Sequence, residues 1–273
     1  MLGPGTIWLV LFFVIPLYYM GKLSLESGFV GSLEFNWNWS NYSEALSAYD
    51  TQFVRSFVYA ATATLIALVL AYPLAYVIAF KAGRWRNVLL FAVVAPFFTT
   101  YLIRTIAWET ILSDESPVTE ALHAIGLAPG GHVLATSGAV IAGLTYNFLP
   151  FMILPLYASL ERIDVRLIEA AKDLYSSATQ AFLRVTLPLS APGIVAGTLL
   201  TFIPAAGDYV NAQFLGGVGN RMIGNVIQSL YLSQADYPSA AALSFVLMAL
   251  IMVAVVIYIR FAGSEALMGE EAR

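Results

Sequence analysis

The chain has 273 residues, of which 59% are hydrophobic and 11% charged, with a mean hydropathy of +0.77 and a formal net charge of −4. Soluble domains carry about 25% charged residues, so this composition excludes an ordinary soluble enzyme and describes a polytopic membrane protein. The absence of cysteine excludes thiolate chemistry, disulfides and Cys-based metal sites, and an acidic balance gives no electrostatic footprint for nucleic acid.

A membrane-crossing helix needs about 20 mostly apolar residues. Six such stretches are predicted, over about 4–22, 54–80, 87–112, 134–158, 188–208 and 238–261. The fold class is therefore all-α, with residues 1–273 forming a single transmembrane domain. The first stretch lacks a basic leader and an A-x-A-like cleavage site, so it is read as a retained helix and not a signal peptide. Residues 23–53 carry Trp37, Trp39 and Tyr42 in "FNWNWSNYSEAL", which predicts a short helix at the membrane–water interface. The second stretch closes in "YPLAYVIAFKAGRWRN", a basic, Gly-containing hairpin.

Lys and Arg set the orientation. With a cytoplasmic N-terminus, Lys81, Arg84, Arg86, Arg162, Arg166, Lys172, Arg184, Arg260 and Arg273 fall inside, and Lys22, Arg55, Arg104 and Arg221 fall outside or in outer halves. That is the positive-inside sense and places both termini in the cytoplasm. Acidic residues lean outward, among them Glu26, Glu34, Glu44, Asp114 and Glu120. They either draw a cationic solute or are simply solvated loop carboxylates.

Ionisable residues within spans are functional hypotheses by default. Arg104 and Glu109 lie on the third stretch, roughly 140° apart around a helix, so they are not expected to pair with each other. Glu109 beside Trp108 offers a carboxylate and an aromatic face, both attractive to ammonium groups, unless its role is structural. Arg104 would repel a cation and is expected to pair with a carboxylate of this chain or of a partner. Tyr146 and Asn147 on the fourth stretch either line a solute path or, for the aromatic, anchor at the lipid interface. The two histidines, His123 and His132, lie in the connection "ALHAIGLAPGGHVLA", and no phosphate loop is present. Neither a buried His relay nor ATP hydrolysis by this chain is expected, and no cofactor or metal is implied.

Between the fourth and fifth stretches, Leu160, Ile163, Leu167, Ala171 and Leu174 recur at helical spacing, with Glu161, Arg162, Arg166, Glu169, Lys172 and Asp173 largely off that stripe. A helix lying on the membrane would show a basic polar face. This face is mixed in sign, which suits a protein partner. A second amphipathic stretch covers Thr179 to Val185, and two short helices joined at Tyr175–Ser177 are predicted within 160–186.

The run "EAAKDLYSSATQAFLRVTLPLSAPG" resembles the EAA loop of permease subunits of bacterial ABC importers, through Glu169, Ala170, Ala171, Asp173, Val185, Leu187 and Pro188. "VVAPFFTTYLIRTIAWETIL", "YNFLPFMILPLYASLERID" and "TFIPAAGDYVNAQFLGG" are similar to the spermidine/putrescine branch of that family. The resemblance implies a type I importer permease fold (MetI-like) in the bacterial inner membrane. It also implies a second permease subunit, two copies of an ATP-binding subunit and an extracytoplasmic solute-binding protein as partners, with a polyamine as substrate. Glu169, Ala170, Ala171, Asp173, Leu174 and Tyr175 would form the coupling helix that meets the ATPase. Tyr175 stands where the family has a turn glycine, so the turn must be built differently or pass to Ser176 and Ser177.

Asp208, with Tyr209 beside it, ends the fifth stretch in "IPAAGDYVNAQFLGG", where many polyamine permeases resembling this chain have an acidic residue in G-E-Y/F-V. Pro204 and Gly207 can interrupt the helix there, making Asp208 either part of a solute path or a structural cap. Gly193 and Gly197 form a G-x-x-x-G suited to close helix packing. Other importer solutes, such as iron(III), thiamine or a phosphonate, are the alternative within the class. A stand-alone secondary transporter is the alternative outside it, and a membrane-embedded enzyme is a third class.

Overall fold

The computed structural model describes residues 3–28, 31–126, 130–175 and 177–262, apart from the side chains of Lys172 and Tyr175. The chain begins with α1 (Gly3–Leu23), which contains one π turn at Val10–Val14 and is apolar, with no residue fully buried and only its C-terminal part packed on the rest of the chain. A two-residue hairpin, β1 (Glu26–Ser27) with β2 (Glu34–Phe35), and a short helix α2 (Ser40–Ala48) follow. The hairpin is fixed to the end of α1: Asn41 Nδ2 donates to the carbonyls of Ser24 and Glu26, both at 2.9 Å, and Tyr42 meets Ser24 through their hydroxyls at 2.6 Å.

The centre of the protein is made by α3 (Asp50–Phe80), α7 (Ser137–Glu161) and α10 (Ala191–Ala206), which pack on one another. Lipid chains are as apolar as leucine, so helices in a bilayer associate through close packing, which favours small residues. Ala60, Ala63, Ala67, Ala71 and Ala75 recur at spacings of three and four along α3 and are completely buried. Gly193 and Gly197 of α10 lie against α7. A Cβ on Gly193 would lie 2.6 Å from Ser159 Cβ and 2.8 Å from the Pro155 carbonyl, and one on Gly197 would lie 2.8 Å from Met152 Sδ. The G-x-x-x-G pair therefore joins two helices of the same chain.

Among the described residues four helices are long and apolar enough to cross a membrane: α1, α3, α7 and α13 (Tyr237–Ala262). Two bent helix pairs pass the same test, which makes six crossings if each pair is one span. The stretch predicted as a continuous span over 87–112 is instead α4 (Gly83–Phe98) and α5 (Tyr101–Ile111), meeting at 94°. Pro96 lies in a tight 3-10 turn, and Thr99 and Thr100 are extended, so the helical ladder stops there. The fifth is α9 (Ala178–Leu189) and α10, bent by 62° at Ser190 between Pro188 and Pro192. The Tyr72 and Ser190 hydroxyls meet at 2.8 Å and tie this bend to α3.

At the end of α7, Arg86 pairs with Glu161, hydrogen-bonds to the Tyr157 hydroxyl and lies over that ring at 5.1 Å, fixing the start of α4 to the end of α7. The helix α8 (Val165–Tyr175) follows directly. At the opposite end lie α6 (Pro117–Ala124), the short α11 (Val210–Phe214) and α12 (Ile223–Leu232). The 215–225 connection is held by Arg55 donating to the Arg221 carbonyl at 2.9 Å. Tyr59 also donates to Asn220 Oδ1 at 3.1 Å, and the Ile223 N–H donates to Ser56 Oγ at 2.8 Å.

Candidate functional site

Where α10 stops, the chain turns into α11 and delivers a carboxylate to the interior. Pro204 lies in the last turn of α10, Gly207 caps it, and Asp208 is only 8% exposed. Asp208 Oδ1 accepts the backbone N–H of Asn211 at 2.8 Å and Asn211 Nδ2 at 3.2 Å, and Oδ2 accepts the Tyr101 hydroxyl. The two oxygens of this carboxylate thus serve different elements. Oδ1 serves the first turn of α11, and Oδ2 faces α5.

The break in the third crossing is what brings Tyr101 there, since α5 starts at that residue after the 94° turn. The network continues through neutral groups. Asn147 of α7 donates from Nδ2 to Asn211 Oδ1 at 3.1 Å and to Thr105 Oγ1 at 3.3 Å, and Thr105 donates to the Tyr101 carbonyl at 3.1 Å. Gly143 makes room for it, since a Cβ there would lie 2.3 Å from Leu215 Cδ1 and 2.6 Å from Asn211 Oδ1. Asn225 closes the far side by donating from Nδ2 to the Tyr209 carbonyl at 2.8 Å.

The other predicted path residues are arranged less tightly. Trp108 and Tyr146 meet edge to face with centroids 5.4 Å apart, beside the same core cluster as Tyr101. Glu109 is partly exposed and forms no ion pair or side-chain hydrogen bond among the described residues, and the Tyr209 ring is 44% exposed. Arg104 and Glu109 are not paired, as their spacing requires. Arg104 finds no carboxylate in this chain among the described residues: its guanidinium lies 5.3 Å and 5.7 Å from the ring centroids of Phe97 and Tyr101, and Nε and Nη1 have no hydrogen-bond partner there. Tyr101, Thr105 and Asn211 were not among the residues singled out from sequence. The available signal was the Asp208–Asn211 spacing of three, which suits a side chain capping the backbone ahead of it.

The second candidate surface is α8. The stripe from Leu160 to Leu174 is divided between two helices, because α7 ends at Glu161 and Asp164 accepts the Arg166 N–H at 2.9 Å to start the next. Ile163, Ile168 and Ala171 are buried against the chain, whereas Leu167 and Leu174 stay exposed at 52% and 79%. Glu169, Ala170 and Asp173 are exposed. A small residue, two carboxylates and two leucines therefore face outward together. Helix α8 extends through Tyr175, and Ser177 caps α9 by accepting the Gln180 N–H at 3.2 Å. Ser176 and the Tyr175 side chain, where the missing glycine raised the question of the turn, lie outside the described residues.

A bundle with paired bent crossings, a carboxylate at the end of one of them and an exposed mixed-charge helix at the other end describes a multi-pass membrane permease. Residues 51–264 match the family model of the binding-protein-dependent transport system inner membrane component, and the chain belongs to that family. It is an inner-membrane permease of the ABC importer class. The chain is 38% identical over 256 residues to the spermidine/putrescine transport system permease protein PotB of Escherichia coli, covering 93% of both chains. To the Haemophilus influenzae protein of the same name it is 37% identical, covering 93% of this chain and 90% of that one. The inner membrane ABC transporter permease protein YdcU of Escherichia coli is 34% identical, with coverage of 76% and 69%. Among solved structures, a chain of a bacterial ABC transporter involved in the import of the acidic polysaccharide alginate aligns with a TM-score of 0.69 over 96% of this chain and 93% of that one, at 19% identity. That likeness establishes the MetI-like fold.

Proposed function

We propose that this chain forms half of a polyamine pathway in an ATP-driven importer. The observation that carries the reading is Asp208, a buried carboxylate at the junction of two interrupted crossings, in a chain similar along most of its length to permeases named for spermidine and putrescine. A carboxylate with one oxygen held, among the described residues, only by a phenol hydroxyl is suited to an ammonium group, which supplies a stronger donor. Trp108 and Tyr146 add aromatic faces, and Glu109 a second carboxylate, along the same helices.

In this reading both termini and α8 are cytoplasmic, as the distribution of Lys and Arg favours. The exposed face of α8, with Glu169, Ala170, Asp173 and Leu174, seats in a cleft of an ATP-binding subunit, and Tyr175 ends that helix. Two ATPase copies, a second permease and an extracytoplasmic solute-binding protein complete the assembly. A bound ammonium takes Asp208 Oδ2 from Tyr101 when the site opens outward. Closure of the ATPases moves α8 with α7 and α9, and α10 carries that motion to the Asp208 turn. The test is spermidine uptake by membrane vesicles containing the complex: Asp208→Asn lowers uptake while assembly persists, and unchanged uptake kinetics contradict the assignment.

A further inference from the structure

The hydrogen bonds around Asp208 have a direction. A carboxylate only accepts, so Asn211 must turn Nδ2 toward Asp208 and its own amide oxygen away. That oxygen accepts from Asn147 Nδ2. The Asn147 amide nitrogen also donates to Thr105 Oγ1, whose proton is committed to the Tyr101 carbonyl. Each choice follows from the one before it, and the series ends at Asn147 Oδ1. This oxygen belongs to a residue only 1% exposed and meets no donor among the described residues. Flipping the amide would set oxygen against oxygen at Asn211, so the vacancy is imposed by the network. A buried acceptor without a protein donor is costly and is met by a water or a ligand, and beside Asp208 an amine is the donor that the proposed pathway supplies.

We propose that Asn147 Oδ1 is a second amine-binding position in the solute path, taking one N–H-bearing group of a polyamine while Asp208 takes another. The inference rests on the polyamine reading of Asp208. The two acceptors lie on different residues with two amides in series between them, an arrangement that matches a solute carrying two amines on a methylene chain. Tyr101 lies at the Asp208 end of this network: its ring is partly exposed and packs on Phe148, and its hydroxyl accepts from Asn211 Nδ2 and is the one donor on Asp208 Oδ2 among the described residues. Arg104 does not fill the vacancy. Its guanidinium rests on the Phe97 and Tyr101 rings and makes no hydrogen bond through Nε or Nη1.

The test is equilibrium binding of radiolabelled putrescine to the assembled complex in lipid nanodiscs without the solute-binding protein, with competition by putrescine and by n-butylamine. Wild-type complex prefers the diamine by about tenfold, the worth of one charge-assisted hydrogen bond. Asn147→Leu, and Asn147→Ser as the change easier to pack, reduce the preference to the statistical factor of about two for a molecule with equivalent ends, while n-butylamine binding is kept. An unchanged preference, or equal weakening toward both amines, overturns the inference. Asp208→Asn separates the two readings: loss of both amines keeps Asp208 in the path whatever Asn147 does, and unchanged binding removes the reading of Asp208 itself.

Discussion

Asp208 carries two duties on one side chain. Its Oδ1 stabilises the start of α11, and its Oδ2 accepts the Tyr101 hydroxyl across the interior. Replacement by asparagine leaves a side chain of the same shape that still accepts one hydrogen bond, so the fold should persist. The charge is lost, and with it a charge-assisted contact worth about 1.5–3 kcal/mol. Spermidine uptake in Asp208→Asn vesicles is therefore expected to fall by roughly tenfold to a hundredfold. The acid was legible in the sequence because a carboxylate inside an apolar run is expensive and so stands out. Its partners were not. Tyr101, Thr105 and Asn211 are neutral and carry no such signal, and Tyr101 reaches Asp208 only because the third stretch is broken at Thr99 and Thr100 and α10 stops at Gly207.

Among the helices, hydropathy located each apolar stretch but not the bends within them. The third crossing turns at Thr99 and Thr100, two ordinary residues following a proline turn, and nothing in a sliding window separates them from a continuous helix. The 160–186 stretch was legible in part. Its motif identified the segment, but a stripe assigned to one helix is shared by two, because Asp164 restarts the helix after α7. The small-residue pair of α10 was visible as a pattern and acquires its partner only in the structure, where it meets Pro155 and Met152 of α7. Gly193→Ala forces a methyl against a backbone carbonyl and is expected to destabilise the solubilised complex by about 1–3 kcal/mol, read as a lowered Tm. Gly219→Ala, with open space around it, serves as the unchanged control. At the α8 surface, Glu169→Arg reverses an exposed charge without disturbing the buried Ile168 and Ala171. Complex containing it should keep the Tm of wild type and lose solute-stimulated ATP hydrolysis; retained coupling contradicts the docking of α8 on an ATPase.

The whole molecule is incomplete by its surface. Helix α1 exposes Ile7, Phe12 and Phe13 at about 60%, and Leu65, Val69, Phe91 and Met252 are comparably bare on other helices. Surface this apolar is stable only in lipid or against another subunit. The interior is different in kind: an alanine-lined core at the centre, and a polar network around Asp208 where two bent helix pairs meet. In the proposed reading a second permease completes the pathway, and the assembly imports polyamines at the expense of ATP. That import is tested most directly by ATP hydrolysis of the reconstituted complex, with its solute-binding protein, across spermidine, putrescine, iron(III), thiamine and a phosphonate. Stimulation by spermidine or putrescine alone is the predicted result, and stimulation by any of the other solutes in their place would contradict it.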